Sequence, residues 1–143
     1  MCHAHLGRHE QAASMYRAIY TRLAQHSRTD YYTIQAGLNL SACVLSQGNF
    51  AETQGFISEL LSDATSALGP AHAVTITIRG MYGLALHASV AASLADLILA
   101  EEFCEENSRT TRQVLGRGHP VAMQALKELN SAREKLARVR ANP

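Results

Sequence analysis

Hydrophobic residues recur along the chain at the three- and four-residue spacing of amphipathic helices. From Glu10 to Ala24 they fall at positions i, i+3, i+4, i+7 and i+8. Asp30 is a residue type that caps helix N-termini, and Pro120 stands at an early helical position where proline is tolerated. Comparable stripes run from Asp30 to Gly48, from Phe50 to Leu68, from Val74 to Ala88, from Val90 to Leu115 and from Pro120 to Val139. The pattern predicts six or seven helices joined by short turns.

The segment from Val74 to Ile78 has a different pattern, because its apolar and polar residues alternate with a period of two. Taken alone, this alternation is typical of a half-buried strand. A lone five-residue strand would have no pairing partner in an otherwise helical chain. We therefore predict that this segment is helical and that the protein contains no sheet.

Composition favours helices and excludes several classes of protein. Ala and Leu make up 40 of the 143 residues, whereas Val and Ile contribute only 6 each. With 9 Gly, 3 Pro and 3 Cys, the chain is neither a collagen nor a disulfide-stapled miniprotein. Lys and Arg number 13 against 12 Asp and Glu, so no net field attracts nucleic acid or an anionic membrane.

Cysteine usage and hydropathy favour a soluble cytoplasmic protein. The odd number of cysteines fits free thiols, and Cys43 and Cys104 stand among apolar residues as small core side chains. No apolar leader is visible at the start of the chain. The most apolar stretch, Leu84–Ala100, contains His87 and Asp96 and is too interrupted to cross a membrane.

Turn glycines divide the chain into similar units. Gly7 and Gly48 lie 41 residues apart, and each precedes a comparable helical start. The sequence Leu-Gly-Pro-Ala-His at 68–72 matches Leu-Gly-Arg-Gly-His at 115–119 at an offset of 47, and the Thr-Ile pair at 33–34 matches 77–78 at an offset of 44. Two helices in 41 to 47 residues are typical of a helical repeat. We expect one domain with units at about 1–27, 28–69, 70–116 and 117–143, the first and last incomplete.

These motifs resemble the tetratricopeptide family in its longer-period form, which is found in kinesin light chains and many other repeat proteins. The Leu-Gly-x-x-His-Pro sequence between units is complete at 115–120 and degraded at 68–73. The Asn-Leu-Ala block of the first helix stands as Asn-Leu-Ser at 39–41, and a Gln-Gly pair with a following aromatic residue stands at 47–50. The third unit departs from the family, because residues 87–93 replace its turn glycine.

The resemblance implies a right-handed α-solenoid of antiparallel helix pairs, with first helices lining a concave groove. Asparagine suits such a groove because it donates to and accepts from a peptide backbone, and arginine holds a carboxylate in a fork. Aligned on Asn39, the expected lining comprises Gln35, Leu38, Asn39 and Ala42 from one unit, Arg79, Tyr82, Gly83 and Leu86 from the next, and Leu126, Leu129, Asn130 and Arg133 from the last.

Each candidate also has a purely structural interpretation. Asn39 and Asn130 are consistent with ordinary exposed helix positions or with bonds inside the solenoid. The arginines are consistent with solvated surface charges. Leu38 and Tyr82 are consistent with helix packing. The sequence leaves both interpretations open for all of these residues.

The first unit is expected to be incomplete, because residues 1–6 supply only the end of a first helix before Gly7. The helix at 10–25 then lacks half of its usual packing partner. We expect Tyr16, Ile19 or Tyr20 to be more exposed than Ile57 or Leu60. Either the chain begins inside a longer array, or another segment covers this face.

A possible metal cluster stands at the start of the chain. Cys2, His3, His5 and His9 are close in sequence, and the last two histidines are four positions apart. Gly7 is expected to break the helix between them, and no second ligand pair follows at zinc-like spacing. We therefore interpret these side chains as solvated and expect no metal and no other cofactor.

Other charged groups indicate surfaces rather than catalysis. The carboxylate pairs at 101–102 and 105–106 precede Arg109 and Arg112 at helical spacing, which favours a salt-bridged face. Neither a phosphate-binding loop nor a nucleophile motif occurs. The leading hypothesis is therefore a non-enzymatic module that binds a protein or peptide in its groove, similar to a kinesin light chain adaptor. The alternative is a structural or regulatory helical segment of a larger enzyme or signalling protein.

Overall fold

The chain is all-helical in a computed structural model that describes residues 3–142, with side chains from residue 7 onward. The described residues form six helices and no strand. These are α1 (His3–His26), α2 (Tyr31–Ser46), α3 (Phe50–Leu68), α4 (Ala73–His87), α5 (Leu94–Leu115) and α6 (Pro120–Ala141). No helix in this part of the chain is both long and apolar enough to cross a membrane.

The segment with strand-like alternation is helical, which confirms the prediction. It forms the first turns of α4, where Thr75, Ile76 and Ile78 are all buried. The Thr75 hydroxyl donates to the carbonyl of Ala64 in α3 at 3.4 Å. A helix that is covered on most of its circumference does not need a polar stripe, and its sequence can therefore lose the helical period.

The helices of one set begin with the same type of cap. Asp30 precedes α2, His72 precedes α4 and His119 precedes α6. Each side chain accepts a hydrogen bond from the backbone N–H two residues later, at 2.9 to 3.1 Å. The turns before the histidines need Gly69 and Gly116, whose φ angles of 91° and 88° favour glycine. The repeated Gly-x-x-His motif is thus a helix stop followed by a helix start.

Two predicted boundaries are wrong. Gly7 does not break the first helix, since α1 continues through it to His26. A single glycine costs about 1 kcal/mol of helix propensity but keeps its backbone donor, so the neighbouring residues carry the helix past it. The long helix expected from Val90 begins instead at Leu94. Ser93 and Asp96 form a capping box there, with bonds of 3.1 and 3.0 Å.

The helices pack consecutively, and they form two sets with different contacts. Each helix contacts the next along the chain, and α2 also contacts α4, which in turn contacts α6. Across the described residues, no Cα atoms of α1 and α3, or of α3 and α5, lie within 8 Å of each other. We call α2, α4 and α6 the first layer and α1, α3 and α5 the second layer. Neighbouring helices are therefore closer in the first layer than in the second.

The hydrophobic core is a series of small clusters that join consecutive helices. Ile34, Ile57, Leu60 and Ile78 connect α2, α3 and α4. A second cluster, which includes Cys104, connects α4, α5 and α6, and a third connects α1 with α2. Packing between neighbours without one central core is typical of repeat proteins.

The first helix keeps an exposed apolar face, as predicted. Ile19 is 44% exposed, whereas Ile57 and Leu60 are fully buried. Tyr20 is partly buried and stacks edge-on against Phe56, with ring centroids 5.0 Å apart. The exposed strip of α1 therefore lies away from its contact with α2 and α3.

Candidate binding groove

The caps and the burial pattern together define which residues are equivalent in the first layer. His72 follows Asp30 by 42 positions, and buried residues of α2 recur at the same offset in α4. The sequence comparison aligned the units on Asn39, with Gly83 and Asn130 as its equivalents. This gives an offset of 44 between α2 and α4, which shifts α4 by about half a turn. In the structural register, the positions equivalent to Asn39 are Met81 in α4 and Glu128 in α6.

A groove of about 300 Å³ lies between α4 and α6 at these positions. Its walls are mostly apolar, and its polar groups are few. We call it the α4–α6 groove, and its lining residues are Ile76, Thr77, Gly80, Met81, Leu84, Asn107, Val121, Gln124, Ala125 and Glu128. The set joins two first-layer helices and one side chain from α5, as expected for a cleft between stacked repeats.

Asn107 contributes a buried amide to this groove. Its side chain comes from α5 and lies beside Gly80, where a Cβ atom would stand 3.2 Å from Nδ2. The residue is buried, and its Oδ1 atom has no hydrogen-bond partner. A buried acceptor without a donor costs about 1–3 kcal/mol, so one end of this amide lacks a hydrogen bond while Nδ2 is the end that lies beside Gly80.

Glu128 forms the polar edge of the groove through a buried network. His87 Nε2 lies 3.0 Å from Glu128 Oε2, and Gln124 donates to Oε1 at 2.9 Å. Lys135 Nζ lies 3.1 Å from His87 Nδ1 and donates to the His87 carbonyl at 3.0 Å. An ammonium group can only donate, so Nδ1 accepts and Nε2 carries the proton that binds Glu128.

The network favours the charged form of Glu128. The hydrogen bond from His87 lowers the pKa of the Glu128 carboxyl from its ordinary value of 4.5, against an opposing effect of burial. The charge of this carboxylate also affects the pKa of a thiol in the core. Burial, assisted by the charge of Glu128, raises the pKa of the Cys104 thiol to about 11. At neutral pH Glu128 is therefore the charged group of the groove, and the buried Cys104 thiol is protonated.

The candidates from α2 lie at the edge of the first-layer surface. Gln35 and Asn39 are partly exposed and occupy the positions equivalent to the groove residues Thr77 and Met81. Gln35 Oε1 is buried and has no hydrogen-bond partner. Leu38 packs against the core cluster of α2, α3 and α4. Leu38 therefore has the helix-packing role that was its alternative interpretation, whereas Gln35 and Asn39 do not have this role.

The candidates from α4 point into the protein. Arg79 is only 4% exposed, and its Nη2 donates to the Pro70 carbonyl at 3.2 Å. Tyr82 packs against two core clusters and lies edge-on to Phe103, with centroids 4.8 Å apart. The offset of 44 placed these residues on the groove face, whereas the structural register places them in the helix interface.

The candidates from α6 lie on its other side. Leu126 is 46% exposed, Asn130 is exposed, and Arg133 contacts Glu101 and Glu105 of α5 at 3.4 and 3.8 Å. These three residues therefore border α5 or solvent instead of the α4–α6 groove. The remaining expected lining residues of α4 and α6, Gly83, Leu86 and Leu129, are buried.

The sequence comparison missed Thr77, Met81, Gln124 and Glu128. The signal that finds them is the set of helix caps, since aligning Asp30 with the cap histidines gives the observed register. The units were aligned instead on the Asn-Leu-Ala block, because Asp and His are different residue types and their common capping role is not visible as sequence identity.

The remaining candidates are the metal-binding residue types near the start of the chain and the charged residues of α5. The side chains of Cys2, His3 and His5 lie outside the part that the structure describes. Among the described residues, no three His, Cys, Asp or Glu side chains form a group that could hold a metal ion. Arg133 bridges the α5 carboxylates, whereas the sequence favoured Arg109 and Arg112 for that role.

Comparisons with known proteins give no family assignment. No protein-family model matches the chain, and a search among curated proteins finds no match either.

Proposed function

We propose that the chain is a non-enzymatic interaction module, a tetratricopeptide-like solenoid whose first layer binds a peptide or helix of a partner protein. The motif resemblance and the arrangement of the helices support the proposal. Helix pairs repeat with related caps, and among residues 3–142 Cα atoms of next-but-one helices come within 8 Å of each other only in the first layer. When the helices of one layer are closer together than those of the other, the stack curves, and its concave side is on the layer with the closer helices.

The α4–α6 groove is the observation that carries the proposal. It is a cleft of about 300 Å³ on the first layer, with apolar walls and a few polar groups. Clefts of this kind accept an apolar side chain while a small number of polar groups set its orientation. Met81 and Leu84 provide the apolar surface, and Gln124 and Glu128 provide the polar edge.

The contacts of the titratable groups favour binding over catalysis. His87 is buried, and both of its ring nitrogens already have partners in Glu128 and Lys135. A general base needs a nitrogen within reach of its substrate. The Cys104 thiol is buried and protonated, so it is not a poised nucleophile.

A selection of random displayed peptides against the folded chain tests the proposal. We expect enriched peptides that bind with measurable affinity and compete with one another for one surface. Asn39→Ala should weaken binding with little change in thermal stability, because surface substitutions usually cost within about 0.5 kcal/mol. Loss of stability with unchanged affinity would show that Asn39 is structural. A selection without any enrichment would contradict the module itself.

The alternative, a helical segment of a larger protein, is favoured by a separate observation. Met15 and Ile19 on α1 and Met123 on α6 are exposed, and they lie on the outer helices of the stack. A domain that packs there would cover these side chains and leave the α4–α6 groove open. Ile19→Asp distinguishes the two proposals. It should weaken association with the rest of a larger protein if the alternative holds, and it should leave peptide binding at the α4–α6 groove unchanged if the module proposal holds.

A further inference from the structure

We propose that the α4–α6 groove accepts an arginine side chain of the partner. This inference rests on the proposed function and specifies the chemistry of the partner: a segment with an arginine anchor whose guanidinium group binds Glu128 and Asn107. The stem of the arginine lies along the apolar walls.

The charge of the groove is the first argument. Glu128 is the one charged side chain among the ten lining residues. Across residues 7–142, no Lys or Arg nitrogen lies within 4.0 Å of its carboxylate. His87 donates to it through Nε2, and Lys135 contacts the other ring nitrogen of His87. The carboxylate is therefore partly buried and forms no direct ion pair with a Lys or Arg side chain, although the charge of Lys135 beyond His87 helps to lower its pKa.

The cost of covering the groove is the second argument. A partner that docks here removes water from Glu128, whose side chain is 24% exposed. An apolar anchor would remove solvation from the ionised carboxylate and leave it only the hydrogen bonds from His87 and Gln124. An acidic anchor would add repulsion. A cation offsets that cost through a charge-assisted hydrogen bond.

The buried amide favours arginine over lysine. Asn107 Oδ1 lacks a donor, and a half-turn of the amide places this oxygen beside Gly80 in the groove. The guanidinium group has five donors in a planar fork, so it can serve the amide and the carboxylate together. An ammonium group is a compact point charge that suits only one of them well.

The walls suit a long aliphatic stem. Ile76, Met81, Leu84 and Val121 line the groove with carbon, and Gly80 leaves its floor open. Arginine buries its methylene groups along such surfaces while its charged end reaches a polar group.

Synthetic peptides test the anchor directly. The probe is the tightest binder from the random-peptide selection, remade with lysine, citrulline or glutamate in place of each arginine in turn. At one of the arginine positions, the one that enters the groove, we expect citrulline to weaken binding at least tenfold. Citrulline is neutral but has nearly the same shape as arginine. Lysine there should be intermediate, and glutamate should abolish binding. A binder without arginine, or one that citrulline leaves unchanged at every position, would overturn the proposal.

Two groove variants with matched controls locate the site. Gly80→Leu fills the floor, whereas Gly55→Leu makes the same change where a Cβ atom meets nothing within 4 Å. Glu128→Gln removes the charge, whereas Glu106→Gln removes an exposed charge from α5. We expect at least tenfold weaker binding for each groove variant and no change for each control, with melting curves taken for all four.

The outcomes separate this inference from the proposed function. Peptides that bind through an apolar or acidic anchor at the groove would support the module and overturn the arginine. If Gly80→Leu and Glu128→Gln leave the affinity unchanged while other first-layer variants reduce it, this would also support the module and overturn the arginine anchor. If the selection yields no binder, both the module and the arginine anchor fail. If both groove variants unfold, the citrulline series on the wild-type chain still decides.

Discussion

His87 donates to Glu128 across the interface between α4 and α6, with 3.0 Å between Nε2 and Oε2. The bond joins the last residue of one first-layer helix to the middle of the next. It orients the imidazole with Nε2 as the donor and favours the charged form of the carboxylate at the edge of the groove. The same contact therefore stabilises the stacking of two units and sets the electrostatics of the candidate site.

Stability should depend on acid pH through Glu128. Its pKa is lower in the folded protein than the ordinary value of 4.5, mainly because of the His87 bond. Its contribution is therefore complete above pH 4.5 and is lost as the pH falls through the lowered value. Urea unfolding of wild type and Glu128→Gln at several pH values from neutral to acid measures it. The two curves should converge as the pH falls, and parallel curves would contradict the assignment.

The close approach of α4 and α5 at Gly83 should not tolerate a side chain. A Cβ atom there would lie 2.7 Å from Cys104 Sγ, which is too close for a real contact. Gly83→Ala should therefore cost about 1–3 kcal/mol of unfolding free energy, as overpacking in cores usually does. Gly55→Ala is the matched control, and it should be neutral or stabilising by up to about 1 kcal/mol. Equal effects of the two changes would show that the helices can move apart.

The histidine caps should contribute to stability as other caps do. His119 Nδ1 accepts from the Val121 N–H at 3.1 Å, so His119→Ala leaves that donor without its partner. We expect a loss of about 1 kcal/mol. His119→Asp restores an acceptor at the same position and should recover most of the loss. Chemical denaturation of the three proteins measures both effects, and an aspartate variant as weak as the alanine variant would contradict the capping role.

The two described cysteines should differ in reactivity. Cys104 is buried and its pKa is raised to about 11, whereas Cys43 is only partly buried. Alkylation proceeds through the thiolate, so at pH 8 Cys43 should react at least about tenfold faster. Mass spectrometry of peptides after timed exposure to iodoacetamide measures the two rates. In denaturant the rates should become similar, and equal rates in the folded protein would show that α5 opens readily.

The sequence predicted the helical elements well because most of them have clear local signals. The helix at 50–68 has the predicted bounds, since an apolar stripe and Gly69 mark it. The start of α5 differed, because the exposed Val90 extends an apolar run that the Ser93 cap interrupts. The Gly7 boundary differed because one helical glycine weakens a helix without ending it.

The candidate site was less predictable, because it depends on register rather than on residue type. Asn39 lies at a position equivalent to a groove residue. In α4, however, an error of two residues assigned the interface residue Arg79 to the groove, where the structure has the surface residue Thr77. A two-residue shift turns a helical face by about 200°, so a small alignment error moves a side chain to the opposite side. In α6, the choice of Asn130 came from resemblance to an asparagine motif, whereas the equivalent position is Glu128.

The affinity of a selected peptide for two aspartate variants tests the central claim most directly. Met81→Asp places a charge on the α4–α6 groove, and Leu126→Asp makes the same change on the side of α6 that borders α5. Leu126 is exposed, whereas Met81 is partly buried and packs against the core of α2, α3 and α4. Melting curves therefore establish that both variants are folded before their affinities are compared. The account predicts at least tenfold weaker binding for Met81→Asp and unchanged binding for Leu126→Asp. The opposite result would place the binding surface on the face first expected from the sequence and contradict the groove.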